Sequence, residues 1–139
     1  MILIVQAQMS LNLAFHFTPD DRALVIGFAP EGGAVSCSAD VEYFAATLEA
    51  RCQLLKQRVH LFFDLTNLSV DAELVAPFSA AKRALCEKFA LSVWHCGGHL
   101  AERVMTRNEC TRRGQKPNLF RTRDDALAAF RRTQRQALR

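Results

Sequence analysis

Two short stretches hold residue types that can do chemistry. The first is WHCGGH at 94–99, which sets His95, Cys96 and His99 around the pair Gly97–Gly98. Imidazole nitrogens and a thiolate are zinc ligands, and a cysteine beside a histidine is also the start of a nucleophilic pair. The second is FFDLTNLSVDAELV at 62–75, which contains Asp64, Ser69, Asp71 and Glu73. Paired carboxylates can exchange protons when a cleft and a positioned partner accompany them.

What either stretch can do depends on the elements that carry it. LNLAFHF (11–17) and RALVIGF (22–28) are short apolar runs joined by turn residues, which predicts an antiparallel hairpin, and APEGGAVS then reads as a loop. From Ser38, a plausible N-cap, the spacing turns helical through Val41, Phe44, Leu48, Cys52 and Leu55, with Asp40 and Glu42 in the first turn. RVHLFFDL (58–65) is a nearly continuous apolar run of strand length, as expected of a central strand covered on both faces. Leu74, Phe78, Ala81, Leu85 and Phe89 form a second helical stripe, which Pro77 either kinks or starts. LSVWHC (91–96) is the next strand. Leu100 and Val104 suggest a short helix that runs out before RRGQKPN.

PNLFR (117–121) reads as a short edge strand. Thr122 then caps a last helix, with Asp125 three positions on, Leu127 and Phe130 pointing inward and arginines in the final turn. Strands alternating with helices predict an α/β layered sandwich. Its mixed sheet has about five strands, with the hairpin at one edge and a parallel centre, and four helices cover it. One domain is expected over 12–131, with 1–11 an arm or extra strand and 132–139 a basic helix end or tail.

This frame constrains the first stretch. Neighbouring strand residues face opposite ways, so His95 and Cys96 do not easily share one ion. His95 and His99 could meet across the glycine turn with Cys110 as a distant third, which makes them weak metal candidates. A small metal- or thiol-dependent enzyme built on His95, His99 and Cys96 or Cys110 is the alternative this stretch allows. Gly97 and Gly98 supply a tight strand-to-helix turn whose following N–H groups could attract an anion. The glycine-rich dinucleotide and Walker sequences are absent, and no cofactor is expected. In the second stretch, Asp64 falls at the carboxyl end of the central strand and Asp71 where the next helix opens, so Asp71 can cap it with Glu73 in its first turn.

The second stretch resembles the STAS domain, named for sulfate transporters and anti-sigma factor antagonists, and the related SpoIIAA-like group. In both, a central strand ends in Asp, an apolar residue and Ser or Thr, and a later Asp opens a helix. DLTNLSVDAEL is similar to that element, and LFRTRDDALAAF to the closing strand and helix. The likeness covers roughly residues 12–131. It implies a non-enzymatic regulatory module that binds another protein around Asp64, Ser69, Asp71, Ala72 and Glu73, with Gly97 and Gly98 beside them. The family's switch is Asp-Ser-Ser-Gly. Here Asp71, Ala72, Glu73 and Leu74 stand at those positions with a spacer one residue shorter, so the phosphorylatable serine is missing.

The remaining composition bears on partners. Five cysteines without paired spacing are expected as free thiols in a reducing cytoplasm, and the start MILIVQAQ has neither the length of a membrane span nor the flanks of a signal peptide. Residues 1–100 hold seven lysines and arginines against ten acids, whereas 101–139 hold eleven against four. Clustered cations raise nucleic acid as a partner, but only Phe120 and Phe130 could stack on bases there, and both fit the core pattern. The basic third reads first as a solvated face that complements the last helix's dipole, with nucleic-acid binding through it as an alternative. The protein partner is what the resemblance implies, no membrane association is expected, and the chain is expected as a monomer or homodimer.

Overall fold

The computed structural model describes residues 11–138. The expected arm therefore falls outside the described residues except for Leu11, which opens the first strand. The elements are β1 (Leu11–Thr18), β2 (Ala23–Val35), α1 (Ser38–Leu55), β3 (Val59–Asp64), β4 (Ser69–Val70), a 3-10 turn (Ala72–Leu74), α2 (Val75–Phe89), β5 (Ala90–Cys96), α3 (Leu100–Arg112), β6 (Leu119–Phe120) and α4 (Arg123–Ala137). The sheet runs β1-β2-β3-β5-β6, with β4 joined to β2. β1 and β2 are antiparallel and every other pairing is parallel. This is the α/β sandwich that the alternating pattern predicts, with RVHLFFDL mid-sheet between β2 and β5.

Side chains alternate across the sheet and split the core in two. Leu24, Ile26, Leu61 and Phe63 join Phe44, Leu48, Phe78 and Leu85 of α1 and α2 on one face. Met105 of α3 packs against the same cluster. Val25, Phe62, Trp94 and Cys96 meet Ala126, Ala129 and Phe130 of α4 on the other. α4 continues to Ala137, so the basic end is helix over residues 132–137. Its N-cap is Thr122, whose hydroxyl accepts from the Asp125 N–H at 3.1 Å, as the sequence predicts.

Three expectations need correction. APEGGAVS is not a loop: β2 runs through it to Val35. The register shifts between Leu11, opposite Gly33, and Leu13, opposite Phe28, so Pro30 and Glu31 stand exposed in a bulge that demands no ladder bond from proline. Ser38 is not the N-cap of α1, because Cys37 holds that position. The capping is done from inside the helix by Asp40, whose buried Oδ2 accepts from the N–H groups of Ser36 (2.8 Å) and Cys37 (3.2 Å). Asp40→Ala is expected to lower stability by about 1–2 kcal/mol, read as a lower urea midpoint at unchanged slope. Thirdly, α3 ends where the sequence suggests, at Arg112, but is turned the other way. Leu100 and Val104 are 78% and 39% exposed, while Glu102, Thr106 and Cys110 are its buried residues. Pro77 falls in the first turn of α2, where a missing N–H is tolerated, so that helix starts close to it.

Candidate functional site

The carboxyl ends of β3 and β5 form one rim. Asp64 is in register with Cys96, and the Leu65 N–H donates to the Cys96 carbonyl at 2.8 Å, which brings the loop after β3 against the Gly97–Gly98 turn. Both glycines have positive φ, 66° and 97°. A Cβ on Gly97 would overlap the Thr66 hydroxyl, so glycine is required there both for conformation and for the close approach. The turn itself is tied to β6. The Gly97 N–H donates to the Phe120 carbonyl at 3.1 Å, and Arg103 Nη1 donates to the carbonyls of Gly97 (2.9 Å) and Phe120 (3.1 Å).

Asp64 is occupied on both oxygens. Oδ1 accepts from the Thr66 N–H at 3.1 Å, and Oδ2 accepts from Arg123 Nη2 at 2.8 Å and Nε at 3.2 Å. It thus ties its own loop to the start of α4. The chain then passes through β4, where exposed Ser69 lies opposite Ala34, and the Asp71 N–H donates to the Val35 carbonyl at 3.0 Å. Asp71 does not cap α2. It precedes the 3-10 turn without a side-chain cap bond, and α2 starts four residues later, at Val75. Asp71, Ala72 and Glu73 are exposed and Leu74 is buried beneath them. Buried Glu102 closes the rim from α3 by accepting the Val70 N–H at 3.2 Å.

The structure takes WHCGGH apart. Trp94 and Cys96 face the α4 layer, His95 belongs to the opposite face, and exposed His99 is the N-cap position of α3. Burial, together with the Asp64 charge, pushes the Cys96 thiol up to about 12, so it stays protonated and un-nucleophilic. Cys110 lies on the buried face of α3. Among the described residues, no three His, Cys, Asp or Glu side chains are grouped to hold a metal ion.

A site that sequence reasoning does not find lies on the α2 face. A cavity of about 450 Å³ opens between α2, β5 and α3, with Phe28, Phe63, Phe78, Val93 and Met105 among its apolar walls. His95 is 2% exposed and fully engaged. Its Nδ1–H donates to the Pro117 carbonyl at 2.8 Å, so Nε2 is left to accept from Lys82 Nζ at 2.6 Å. Burial holds the imidazole well below its ordinary pKa, with the Lys82 charge adding to the effect, so it is neutral. Burial also brings Lys82 down to about 8, although the thiols of Cys86 and Cys110 oppose the shift. Its Nζ sits 4.5 Å from the centre of the Phe63 ring, a cation–π contact. Two residues lining the cavity carry buried polar atoms without hydrogen-bond partners, Thr106 Oγ1 and Arg113 Nε. The one signal in the sequence was indirect: the buried spacing of α3 is polar, at Glu102, Thr106 and Cys110.

No protein-family model matches this chain, and no curated protein matches it significantly.

Proposed function

We propose that the protein is a non-enzymatic regulatory module that binds another protein through the rim formed by the Asp64–Leu74 segment and the Gly97–Gly98 turn, in the manner of the STAS and SpoIIAA-like domains it resembles. The observation that carries this reading is the junction of the two loops at one end of the sheet, with Asp71 and Glu73 exposed. Asp64 positions that surface through its pair with Arg123, and the exposed Ser69, Asp71, Ala72 and Glu73 carry most of the contact. Leu100, on the first turn of α3 after the glycines, adds an exposed apolar group of the kind that forms the centre of an interface.

The enzymatic alternative draws less support, because its groups are engaged elsewhere. Both ring nitrogens of His95 have partners, and Cys96 is protonated behind the sheet. Part of the basic C-terminal third is likewise committed within the fold. Arg123 pairs with Asp64, Arg131 with Asp21 and Arg112 with Glu109.

Affinity capture from an extract of the source cells, followed by calorimetry with the purified partner, tests the reading. The double variant Asp71→Lys/Glu73→Lys is expected to weaken binding at least tenfold. Asp20→Lys, in the β1–β2 turn, is expected to leave it unchanged. A partner that binds the double variant as tightly as the parent chain would overturn the rim assignment.

A further inference from the structure

The α2–β5–α3 cavity has an uneven charge balance. Arg58, Lys82, Arg83, Arg113 and Lys116 line it, against Glu87 and Glu109. Glu109 is already paired with Arg112 at 3.0 Å. The groups left wanting are donors: Arg113 Nε can only donate, the Thr106 hydroxyl can donate, and Lys82 has N–H bonds beyond the one directed at His95. Buried donors without acceptors are costly, and an ammonium whose short bond goes to a neutral imidazole instead of a carboxylate is costlier still. Apolar packing would have been simpler here. α3 shows the same anomaly, because it turns Thr106 and Cys110 inward and leaves Leu100 and Val104 outside. Arg83, Glu87, Gln115 and Lys116 are exposed, so the cavity has a mouth. Its volume of about 450 Å³ suits a small organic molecule.

We propose that this cavity binds a small organic carboxylate, its carboxylate received by Lys82, Arg113 and Thr106 and its apolar body lying against Phe63, Phe78 and Met105. An anion supplies the acceptors these donors lack, and the aromatic and thioether walls give the hydrocarbon part its dry surface. Neutral His95 has a positioning role: with Nδ1 fixed on Pro117, its Nε2 orients the Lys82 ammonium. The proposal does not rest on the reading of the rim.

Isothermal titration of the full chain with butanoate, octanoate and phenylacetate tests the proposal, with 1-octanol as the uncharged match to octanoate. At least one of the three acids is expected to saturate at one per chain, and octanol to bind at least tenfold more weakly than octanoate. Lys82→Met places no charge in the cavity and is expected to fold, but to lose at least tenfold in affinity for the acid. Lys82→Arg is expected to recover part of that loss, and Lys88→Met, whose ammonium pairs with Glu49 outside the cavity, to change nothing. Amide shifts on α2, β5 and α3 locate the binding independently of the variants. Absence of saturable binding by all three acids, equal binding of octanol, or undiminished binding by a folded Lys82→Met chain would each overturn the proposal.

Discussion

Phe130→Ala is expected to cost about 3–5 kcal/mol and to shift the emission of Trp94 to the red. The ring is 1% exposed and meets Phe62 and Trp94 edge-on, at centroid distances of 5.3 and 5.7 Å. Edge-to-face pairs add to the area a ring buries. The loss falls on a thin layer, because the other buried residues of α4 among those described are the alanines Ala126 and Ala129. The aromatic side chain is therefore the main anchor of that helix. Trp94 is the chain's single tryptophan, so its fluorescence reports directly on this face. Urea unfolding of both chains, followed by tryptophan emission and by circular dichroism, gives the free-energy difference. A loss below about 1 kcal/mol would mean that the layer repacks around the hole.

Gly33→Val is expected to cost about 3 kcal/mol, at the upper end for an overfilled position. A Cβ there would overlap the Asn67 carbonyl oxygen, which is backbone and cannot swing aside as a side-chain tip can. β2 or the loop after β3 has to move, and the pairing of Ala34 and Val35 with Ser69 and Val70 lies in the path of either movement. The variant should also speed hydrogen exchange at the Asp71 amide, which donates to the Val35 carbonyl, well beyond the change at the mid-sheet amides of β3. Equal acceleration everywhere would show a global loss without local separation of the two segments.

The parts of this fold that were legible in the sequence are those where burial is one-sided or complete. The continuous run through Leu61, Phe62 and Phe63 could only lie between two covered faces, and Val41, Phe44, Leu48 and Cys52 mark one stripe of α1. Where a helix borders a cavity, the same logic points the wrong way. Leu100 and Val104 read as inward because apolar residues usually are, yet in α3 the inward face carries Glu102, which takes the Val70 N–H, and Thr106 and Cys110, which line the cavity. β4 is two residues long and has no period to detect. Pro30 and the glycines of APEGG signalled a loop, because a bulge uses the same residue types as a turn.

The sites follow the same division. The sequence placed Asp64 and the double glycine correctly at strand ends, because strand ends can be read from apolar runs. It did not show what Asp64 holds, since Arg123 is 59 positions away. Nor could it show the Lys82–His95 contact, which joins a helix to a strand through tertiary packing alone.

The shared strand β2 has a further consequence. Ala23 to Ile26 of β2 pair with β3 in the most buried part of the sheet, and Ala34 and Val35 of the same strand hold β4 and the Asp71 amide. The acidic surface is thus preorganised by an element that is ordered whenever the domain is folded. On the proposed function, a partner binding there would freeze little backbone, so its association would need no prior rearrangement and would proceed at the pace of rigid surfaces, with affinity differences among variants appearing mainly in how long the complex lasts.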